Sequence, residues 1–436
     1  MKQNLSLLLG FSISLLVSCG EKVVVSSEVG GGNEVKEETP SSVVEELEVL
    51  VPPAGIFSTT PVSKEIVKGE QTLSFSLLSS LYTPGASTVF SPLSIQVALG
   101  MLHGGATGQT KSEISEVGGF ELASAEDVFV YEKGVLEGLS GLENVKASVA
   151  NMMLSNSSKV SVLPEYADML KSTYYAPSLS EDFSVDADAV KEIVNTWASR
   201  VTEGKIPSLL SEVNPESYGY LMSGLYLKSR WDDPLLTETF QFTHGSGSKE
   251  DMTFLVTPGS EAGEPLMYSH QGNYQIVRRT LGGMALAMYI ILPDDNDVSG
   301  VISSMAEEGW SSIKRGMSLH SVNLSVPSIS IENDLILNKT LSDIGMPSVF
   351  TDAAELSRMY VGDSRAKVSS FTQKNAFTVD ESGLEGATMT VVTTAPTDAP
   401  PTDMPEKVEF VADHPFVFII TEERSTGLIL YAGVFE

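Results

Sequence analysis

The chain has 436 residues, with 27 basic and 57 acidic side chains and a formal net charge of −30. An apolar fraction of 42% is ordinary for a protein that buries a core, which excludes wholesale disorder and fibrous repeats. The excess of acid argues against nucleic acid as a partner, because phosphate binding requires a basic surface. The single cysteine, Cys19, excludes an intrachain disulfide and a zinc site built from several thiolates.

The first residues are typical of a secretion signal. A short positive start precedes a largely apolar stretch from Leu5 to Ser18, which is too short to span a membrane. It ends Leu16-Val17-Ser18-Cys19, which resembles the bacterial lipoprotein box. The resemblance implies a signal peptide over residues 1–18 and an acylated Cys19, and hence a lipid-anchored, extracytoplasmic protein of the bacterial cell envelope. The alternative is an incidental cysteine.

The next segment has the composition of a linker. Residues 19–66 contain a glycine triplet at 30–32, an acidic run at 34–38, two consecutive prolines and one aromatic residue, Phe57. Such a composition buries too little apolar area to offset the entropy of ordering. We therefore predict a flexible acidic tether over residues 19–66 and a single domain over residues 67–436.

Within the predicted domain, helical patterns come first and strand patterns later. Leu73, Leu77, Leu78 and Leu81 fit one helix face, and Ser94–Leu102 and Ala189–Val201 also read as helices. Strands are predicted at Met284–Leu292, Val322–Ile331, Phe416–Ile420 and Leu428–Val434. Helices followed by strands, without regular alternation, indicate an α+β fold.

No catalytic motif stands out. None of the five histidines has the spacing of a metal-binding pair, and the Gly/Ser stretch beside His244 is not a nucleophile elbow. No nucleotide-binding loop is present in the sequence. We predict neither enzyme activity nor a metal or cofactor; a hydrolase with a hidden pair of carboxylates is the alternative, but no two carboxylates are singled out.

Residues 381–410 combine opposite tendencies. The stretch Gly386–Thr394 is rich in β-branched residues and favours a strand, whereas four prolines follow it between residues 396 and 405. One interpretation is an ordinary strand followed by a loop. The other is a conditional strand, which is a loop until the connection downstream of it is cut.

Several motifs, in collinear order over residues 67–436, resemble the serpin family. Val379–Gly383 stands where serpins carry an acidic hinge, and the closing motifs are similar at Asp413–Phe416 and Gly427–Gly433. Upstream matches are Phe90–Ile95, Asn195–Ile206, Tyr226–Trp231 and Leu341–Met359. The resemblance implies three β-sheets with eight or nine helices and an exposed reactive loop above a large sheet A.

The resemblance also implies suicide inhibition of a protease, by loop cleavage and insertion of the severed arm into sheet A. The hinge of that arm would comprise Glu381, Gly383, Leu384, Gly386, Ala387, Thr388, Met389 and Thr390. The shutter and breach of the sheet would comprise Ser91, Ser94, Ser223, Gln373 and Trp231. The alternative is a non-inhibitory serpin that acts as a surface binding protein.

Two hinge residues and two shutter residues depart from the family pattern. Leu384 stands where inhibitory members usually have Ser or Thr, and Met389 stands where a small residue is usual. A bulky first inward residue would slow insertion, which favours the non-inhibitory alternative. In the shutter, Gln373 replaces a common His and Ser223 a common Asn, and a glutamine could still satisfy a buried network because it both donates and accepts.

The reactive bond falls at Thr397–Asp398 when counted from Gly383, and near Pro401–Thr402 when counted back from Phe410. Between Gly383 and Glu406 there is no Lys or Arg, so a trypsin-like pocket would lack its basic partner. We expect an elastase-like or subtilisin-like serine protease as the target, with a cysteine protease as an alternative. Residues 121–146 hold only two lysines, so no activation by heparin is expected. The expected state is a monomer.

Overall fold

The computed structural model describes residues 49–258, 263–362, 365–381 and 407–436, together with Leu47 and the backbone of residues 8–19. These residues form nine α-helices and sixteen β-strands. The helices are α1 (Pro61–Leu81), α2 (Pro92–Gly105), α3 (Gly108–Gly118), α4 (Ala125–Ser140), α5 (Pro164–Tyr174), α6 (Ala187–Val201), α7 (Val298–Glu308), α8 (Trp310–Arg315) and α9 (Asn338–Asp343). The strands are β1 (Leu8–Cys19), β2 (Thr88–Phe90), β3 (Val145–Asn156), β4 (Ser178–Glu181), β5 (Ser217–Ser229), β6 (Leu236–Thr243), β7 (Lys249–Val256), β8 (Glu264–Gln271), β9 (Tyr274–Leu281), β10 (Leu286–Pro293), β11 (Ser318–Pro327), β12 (Ile329–Ile336), β13 (Val368–Val379), β14 (Lys407–Val411), β15 (Phe416–Glu422) and β16 (Ile429–Phe435).

Local sequence explains where the first helices begin. The Thr60 hydroxyl accepts a hydrogen bond from the Ser63 N–H, and Pro61 occupies the first turn of α1. Ser91 caps α2 in the same way, again followed by a proline. A side-chain cap satisfies one of the unpaired N–H groups of the first turn, and proline is favoured there because its missing N–H costs no hydrogen bond.

Six strands form sheet A, in the order β12-β13-β1-β5-β3-β4. Its central strand, β1, is the segment that the sequence predicts as the apolar part of a signal peptide. β1 runs antiparallel to both neighbours and pairs with β13 from Leu9 to Ser18 and with β5 from Leu8 to Cys19. Sheet A is thus completed by a strand that lies far away in the sequence.

The other two sheets share one hydrogen-bonded network. Sheet B has the order β2-β16-β15-β10-β9-β8, and sheet C comprises β11, β7 and β6, with β14 parallel to β11. Strands β10, β15 and β16 are buried along their whole length, as continuous apolar runs predict for strands covered on both faces. The three sheets and the helices confirm the predicted α+β serpin-like fold.

One predicted strand is wrong. The alternating run Val322–Ile331 was expected to be a single strand, but β11 ends at Pro327 in sheet C and β12 begins at Ile329 in sheet A. Proline lacks an N–H and cannot continue a ladder at a central position, so the chain changes sheet there. The alternating pattern therefore predicted extended structure correctly, but it did not show that the stretch is divided between two strands in different sheets.

The packed body begins earlier than residue 67, so the N-terminal boundary is corrected. The predicted boundary falls inside α1, and Phe57 is buried against Gly138 of α4. The Gly55 N–H donates to the Glu137 carbonyl at 2.9 Å. Leu47 is buried in an apolar cluster under α6, and its carbonyl accepts from Arg200 at 2.9 Å. Phe57 and Leu47 thus anchor to the domain residues whose average composition predicted a tether.

A fully buried carboxyl group lies between α2, α4 and α5. Both oxygens of Glu132 lack a hydrogen-bond partner among the described residues, and the side chain lies close to Gly100 and the Tyr174 hydroxyl. Burial raises the pKa of Glu132 to about 8, because ionisation in an apolar environment is unfavourable. Burial also raises the pKa of Glu70 in α1 to about 8, although the Ser74 hydroxyl and the Ile429 N–H donate to its carboxyl group.

These groups predict a stability that falls as the pH rises. Because the folded pKa exceeds the ordinary value of 4.5, the folded state holds the proton more tightly. The favourable contribution is complete below about pH 4.5 and is lost as the pH rises through about 8. Glu132→Gln should therefore raise the melting temperature at pH 8 and leave it unchanged at pH 4, with a smaller pH dependence persisting from Glu70. Glu126→Gln removes the same charge from an exposed position and should show no such pH-dependent gain; equal behaviour of the two variants would contradict this account.

Candidate functional site

The predicted site residues that the structure describes lie near the place in sheet A between β5 and β13, which β1 occupies. At its middle, Ser14 of β1 is the pairing partner of Ser223 on one side and of Gln373 on the other. The structure thus brings together two of the predicted shutter residues, Ser223 on β5 and Gln373 on β13, at one level of the sheet. The strand between them is β1.

Gln373 joins this level of the sheet to the start of α2. Its Oε1 accepts from the Ser91 N–H at 3.0 Å, and its Nε2 donates to the Ser91 carbonyl at 3.0 Å. Both residues are fully buried. An amide side chain can satisfy a backbone N–H and C=O at once because it carries one donor group and one acceptor group side by side. The glutamine thus completes the network despite its departure from the usual histidine.

Two serines complete the level. The Ser94 N–H donates to the Ser91 hydroxyl at 3.1 Å, which is the cap of α2. Ser223 is paired across the sheet with Asn151 of β3. The hydroxyls of Ser94 and Ser223 are buried and find no hydrogen-bond partner within the described part of the chain. Near the middle of the sheet, the Gln373 side chain is thus fully hydrogen-bonded, whereas the two serine hydroxyls are not.

Trp231 lies at the hinge end of the same position. Its indole Nε1 donates to the Asp380 carbonyl at 2.7 Å, and the Leu235 N–H donates to the Glu381 carbonyl at 3.3 Å. The indole is 5% exposed. The connection after β5 thus contacts the two residues that directly follow β13.

Arg279 of β9 lies beside the Trp231 ring, with its guanidinium carbon 5.6 Å from the ring centroid. Sequence reasoning did not single it out. The available signal was the pair Arg278-Arg279 inside a strand, where adjacent side chains point to opposite faces and one of the two charges must therefore face inward. Pattern alone cannot say which side chain such a charge contacts.

The rest of the predicted site lies outside the described residues. Gly383, Leu384, Gly386, Ala387, Thr388, Met389 and Thr390 of the hinge, and Thr397 and Asp398 of the reactive bond, fall between the described Glu381 and Lys407. Cys19 is the last residue of β1. The chain leaves sheet A at the end of β13 and returns at β14 in sheet C. The segment between them therefore links two sheets.

The described residues contain neither a candidate metal site nor a candidate membrane-spanning helix. No group of three or more His, Cys, Asp or Glu side chains there is arranged to hold a metal ion. No helix of the described part is long and apolar enough to cross a membrane.

Comparisons with known proteins agree with this geometry. The family model described as "Serpin (serine protease inhibitor)" matches residues 68–436. Iripin-2 of Ixodes ricinus is 27% identical over 85% of this chain and 93% of its own length. The alpha-1-antiproteinase of Rattus norvegicus is 25% identical, over 86% and 90%. A serpin-like protein of Thermococcus kodakarensis is 27% identical, over 87% and 90%.

Solved structures show the same fold. The thermophilic serpin tengpin in its native state superposes with a TM-score of 0.73 at 20% identity, covering 90% of this chain and 98% of that one. A thyroxine-binding globulin in complex with thyroxine gives a TM-score of 0.71 at 21% identity, covering 86% and 98%. The chain therefore belongs to the serpin family, whose members are mostly protease inhibitors rather than enzymes.

Proposed function

We propose that this protein is a suicide-type inhibitor that traps a protease by loop cleavage and insertion into sheet A. The observation that carries the proposal is the position between β5 and β13, which accepts a complete strand. β1 fills it with 12 residues that are antiparallel to both neighbours. The backbone N–H and C=O groups of β5 and β13 that pair with β1 could pair in the same way with another strand of suitable length and direction.

The sequence that follows β13 contains a stretch of that length. It leaves β13 at Asp380, so turning back would make it antiparallel to β13, as β1 is. Gly383–Thr394 contains 12 residues, the same number as β1, and most of them are small or β-branched. Such residues suit a central strand that is covered on both faces.

The trapping chemistry requires only the nucleophile of the target. Its attack on the carbonyl carbon of Thr397 breaks the bond to Asp398, which leaves with the new amino group. The loop is then held to the protease as an acyl-enzyme. Insertion of the N-terminal arm would carry the protease to the opposite end of sheet A before water hydrolyses the ester. Slow insertion would release an intact protease and a cleaved loop.

The proposed target is an elastase-like or subtilisin-like protease, because the loop offers Ala395, Thr397 and Ala399 and no basic residue. We also propose that residues 1–18 are removed and that Cys19 carries the lipid anchor of an extracytoplasmic, monomeric protein. Removal of residues 1–18 would free the position that β1 fills. The second candidate function is a non-inhibitory serpin that binds ligands at its surface, which Leu384 at the first inward hinge position favours.

The proposal is tested with residues 19–436, an elastase-like serine protease and, separately, trypsin. The first protease should give a complex that survives SDS, because an acyl ester to a loop residue is covalent. Mass spectrometry of the released C-terminal peptide should find Asp398 at its N-terminus, within a window from Thr393 to Thr402. Trypsin should give no complex.

Thr397→Arg is the matched control, because it supplies the basic residue that a trypsin-like pocket requires. This variant should form the complex with trypsin. Cleavage of the loop by both proteases without any complex, in either variant, would favour the non-inhibitory candidate.

The shutter yields a further prediction, for Gln373→Glu. The substitution replaces the donor to the Ser91 carbonyl by a carboxylate oxygen, which leaves that buried pair unsatisfied. The native state should melt at a lower temperature, and its loop should become resistant to proteases faster without being cut, because β13 is held less firmly to α2.

Gln96→Glu is the control for this prediction. Gln96 is equally buried in α2, where it donates to the Gly118 carbonyl at 2.9 Å and accepts from Tyr131, away from sheet A. It should lower the melting temperature without accelerating loop protection. Equal acceleration in both variants would mean that general destabilisation, and not the shutter, controls the sheet.

A further inference from the structure

Arg279 is a buried charge that the proposed inhibitory mechanism does not yet use. It lies on β9 and is 2% exposed. One guanidinium nitrogen, Nη1, donates to Glu264 Oε2 at 2.5 Å, and the other, Nη2, donates to the Asp233 carbonyl at 2.6 Å. The same guanidinium faces the Trp231 ring at 5.6 Å. Two of these contacts, to Asp233 and to the Trp231 ring, lie on the connection that follows β5, and the third is to Glu264 at the start of β8.

The start of that connection is fixed to the end of β9 and the residue after it by two backbone hydrogen bonds. The Asp232 N–H donates to the Thr280 carbonyl at 3.2 Å, and the Gly282 N–H donates to the Arg230 carbonyl at 3.0 Å. On its other side, the Trp231 indole donates to the Asp380 carbonyl. The residues that follow β5 are thus held between β9 and the point where the chain leaves β13.

We propose that Arg279 is a positioning residue for the start of the reactive loop: it holds the Trp231 indole against the Asp380 carbonyl, from which the hinge departs. A planar cation over an aromatic face restrains the ring in two directions, and the bond to Asp233 restrains the backbone two residues further on. Lysine would keep the charge but could not make both hydrogen bonds and the planar contact at once. Arg279 thus links sheet B to the hinge end of sheet A.

The adjacent arginine of β9, Arg278, has different partners and provides a comparison. Arg278 points to the opposite face of β9, where its Nη2 lies 3.1 Å from Glu423 Oε2. It belongs to a separate group with Lys314 and Tyr289. Each arginine forms an ion pair with a glutamate, so the two substitutions remove the same charge and one ion pair each. They differ in the contact with Trp231, which Arg279 makes. Only Arg279 touches the residue that reaches the hinge.

The test measures hydrogen exchange of the three indole N–H groups, Trp197, Trp231 and Trp310, by NMR in the full chain. Trp231→Phe assigns the signal by its loss. Arg279→Met should speed exchange of the Trp231 N–H about tenfold while the other two change little, and Arg279→Lys should give an intermediate rate. Arg278→Met should leave the Trp231 rate unchanged.

Uniform acceleration of all three indoles by Arg279→Met would show a merely structural role and overturn the inference. So would an unchanged Trp231 rate.

A second measurement links this positioning to the reactive loop, and that link rests on the proposed function. In residues 19–436, where the proposed function leaves the position between β5 and β13 free, the rate at which the uncut loop becomes protease-resistant should rise about tenfold in Arg279→Met. The double variant with Trp231→Phe should be no faster than the faster single variant. Additive effects would mean that Arg279 acts independently of Trp231, which would overturn the inference. If no variant traps a protease while the Trp231 exchange behaves as expected, the inhibitory function fails and the positioning role stands.

Discussion

Leu384→Arg should abolish protease trapping and leave cleavage of the loop intact. By the family pattern, residue 384 is the first hinge residue to face inward when the arm enters sheet A. An arginine there would bring an unpaired charge into a sheet covered on both sides, at a cost of roughly several kcal/mol. Insertion would stall at its first step, and the acyl-enzyme would be hydrolysed. The measurement is the fraction of cleaved loops that end in a covalent complex with an elastase-like protease.

Two matched variants make this result specific. Glu385→Arg places the same charge on the adjacent, outward-facing position, and it should trap as the parent does. Leu384→Thr replaces a bulky inward residue by the small one that is usual in inhibitory members, and it should raise the trapped fraction. If Leu384→Arg and Glu385→Arg trapped equally well, residue 384 would not be buried by insertion.

Removal of residues 1–18 should convert an inert chain into an inhibitor. In the full chain, the backbone groups that face each other on β5 and β13 are already paired with β1. A cleaved loop then has no position to enter, so residues 1–436 should be cut by the protease without forming a complex. Residues 19–436 should form it. Both are measured as the complex formed per loop cleaved, at equal protein concentration.

Ile13→Pro in the full chain separates occupancy from other effects of the N-terminus. Ile13 is paired with Gly224 on one side and Lys374 on the other, and proline at a central position removes a ladder hydrogen bond. This variant should recover trapping although all 436 residues are present. Trapping by the unchanged full chain would show that β1 leaves the sheet readily or does not block the loop.

The sequence predicted the parts of the fold that depend on local or periodic signals. Apolar runs such as Met284–Leu292 and Phe416–Ile420 became buried strands because continuous burial leaves few alternatives. The resemblance to serpin motifs singled out Gln373, Ser91 and Trp231. The structure adds the hydrogen bonds that their side chains and backbone make. Beyond the groups that the family motifs name, contacts between residues remote in sequence were not predicted.

The failures have physical causes of the same kind. The role of Arg279 depends on Trp231, which lies 48 residues earlier in the chain. Phe57 and Leu47 are held by α4 and α6, whose position no composition average can convey. Residues 8–19 carry the composition of a signal segment, and nothing local in their sequence indicates that they pair with β5 and β13 as β1.

The way in which β1 completes sheet A also bears on association between copies. Its pairing with β5 and β13 uses backbone groups, and more than 190 residues separate it in sequence from either neighbour. Continuity of the chain therefore does not decide which strand occupies the centre of the sheet. If residues 1–18 are removed, as we propose, the loop of one molecule would compete with the loop of another for the same place, as in a domain swap. Intramolecular capture is independent of concentration, whereas exchange between copies increases with it, so crowding of molecules held by the proposed lipid anchor would favour linear chains of linked molecules.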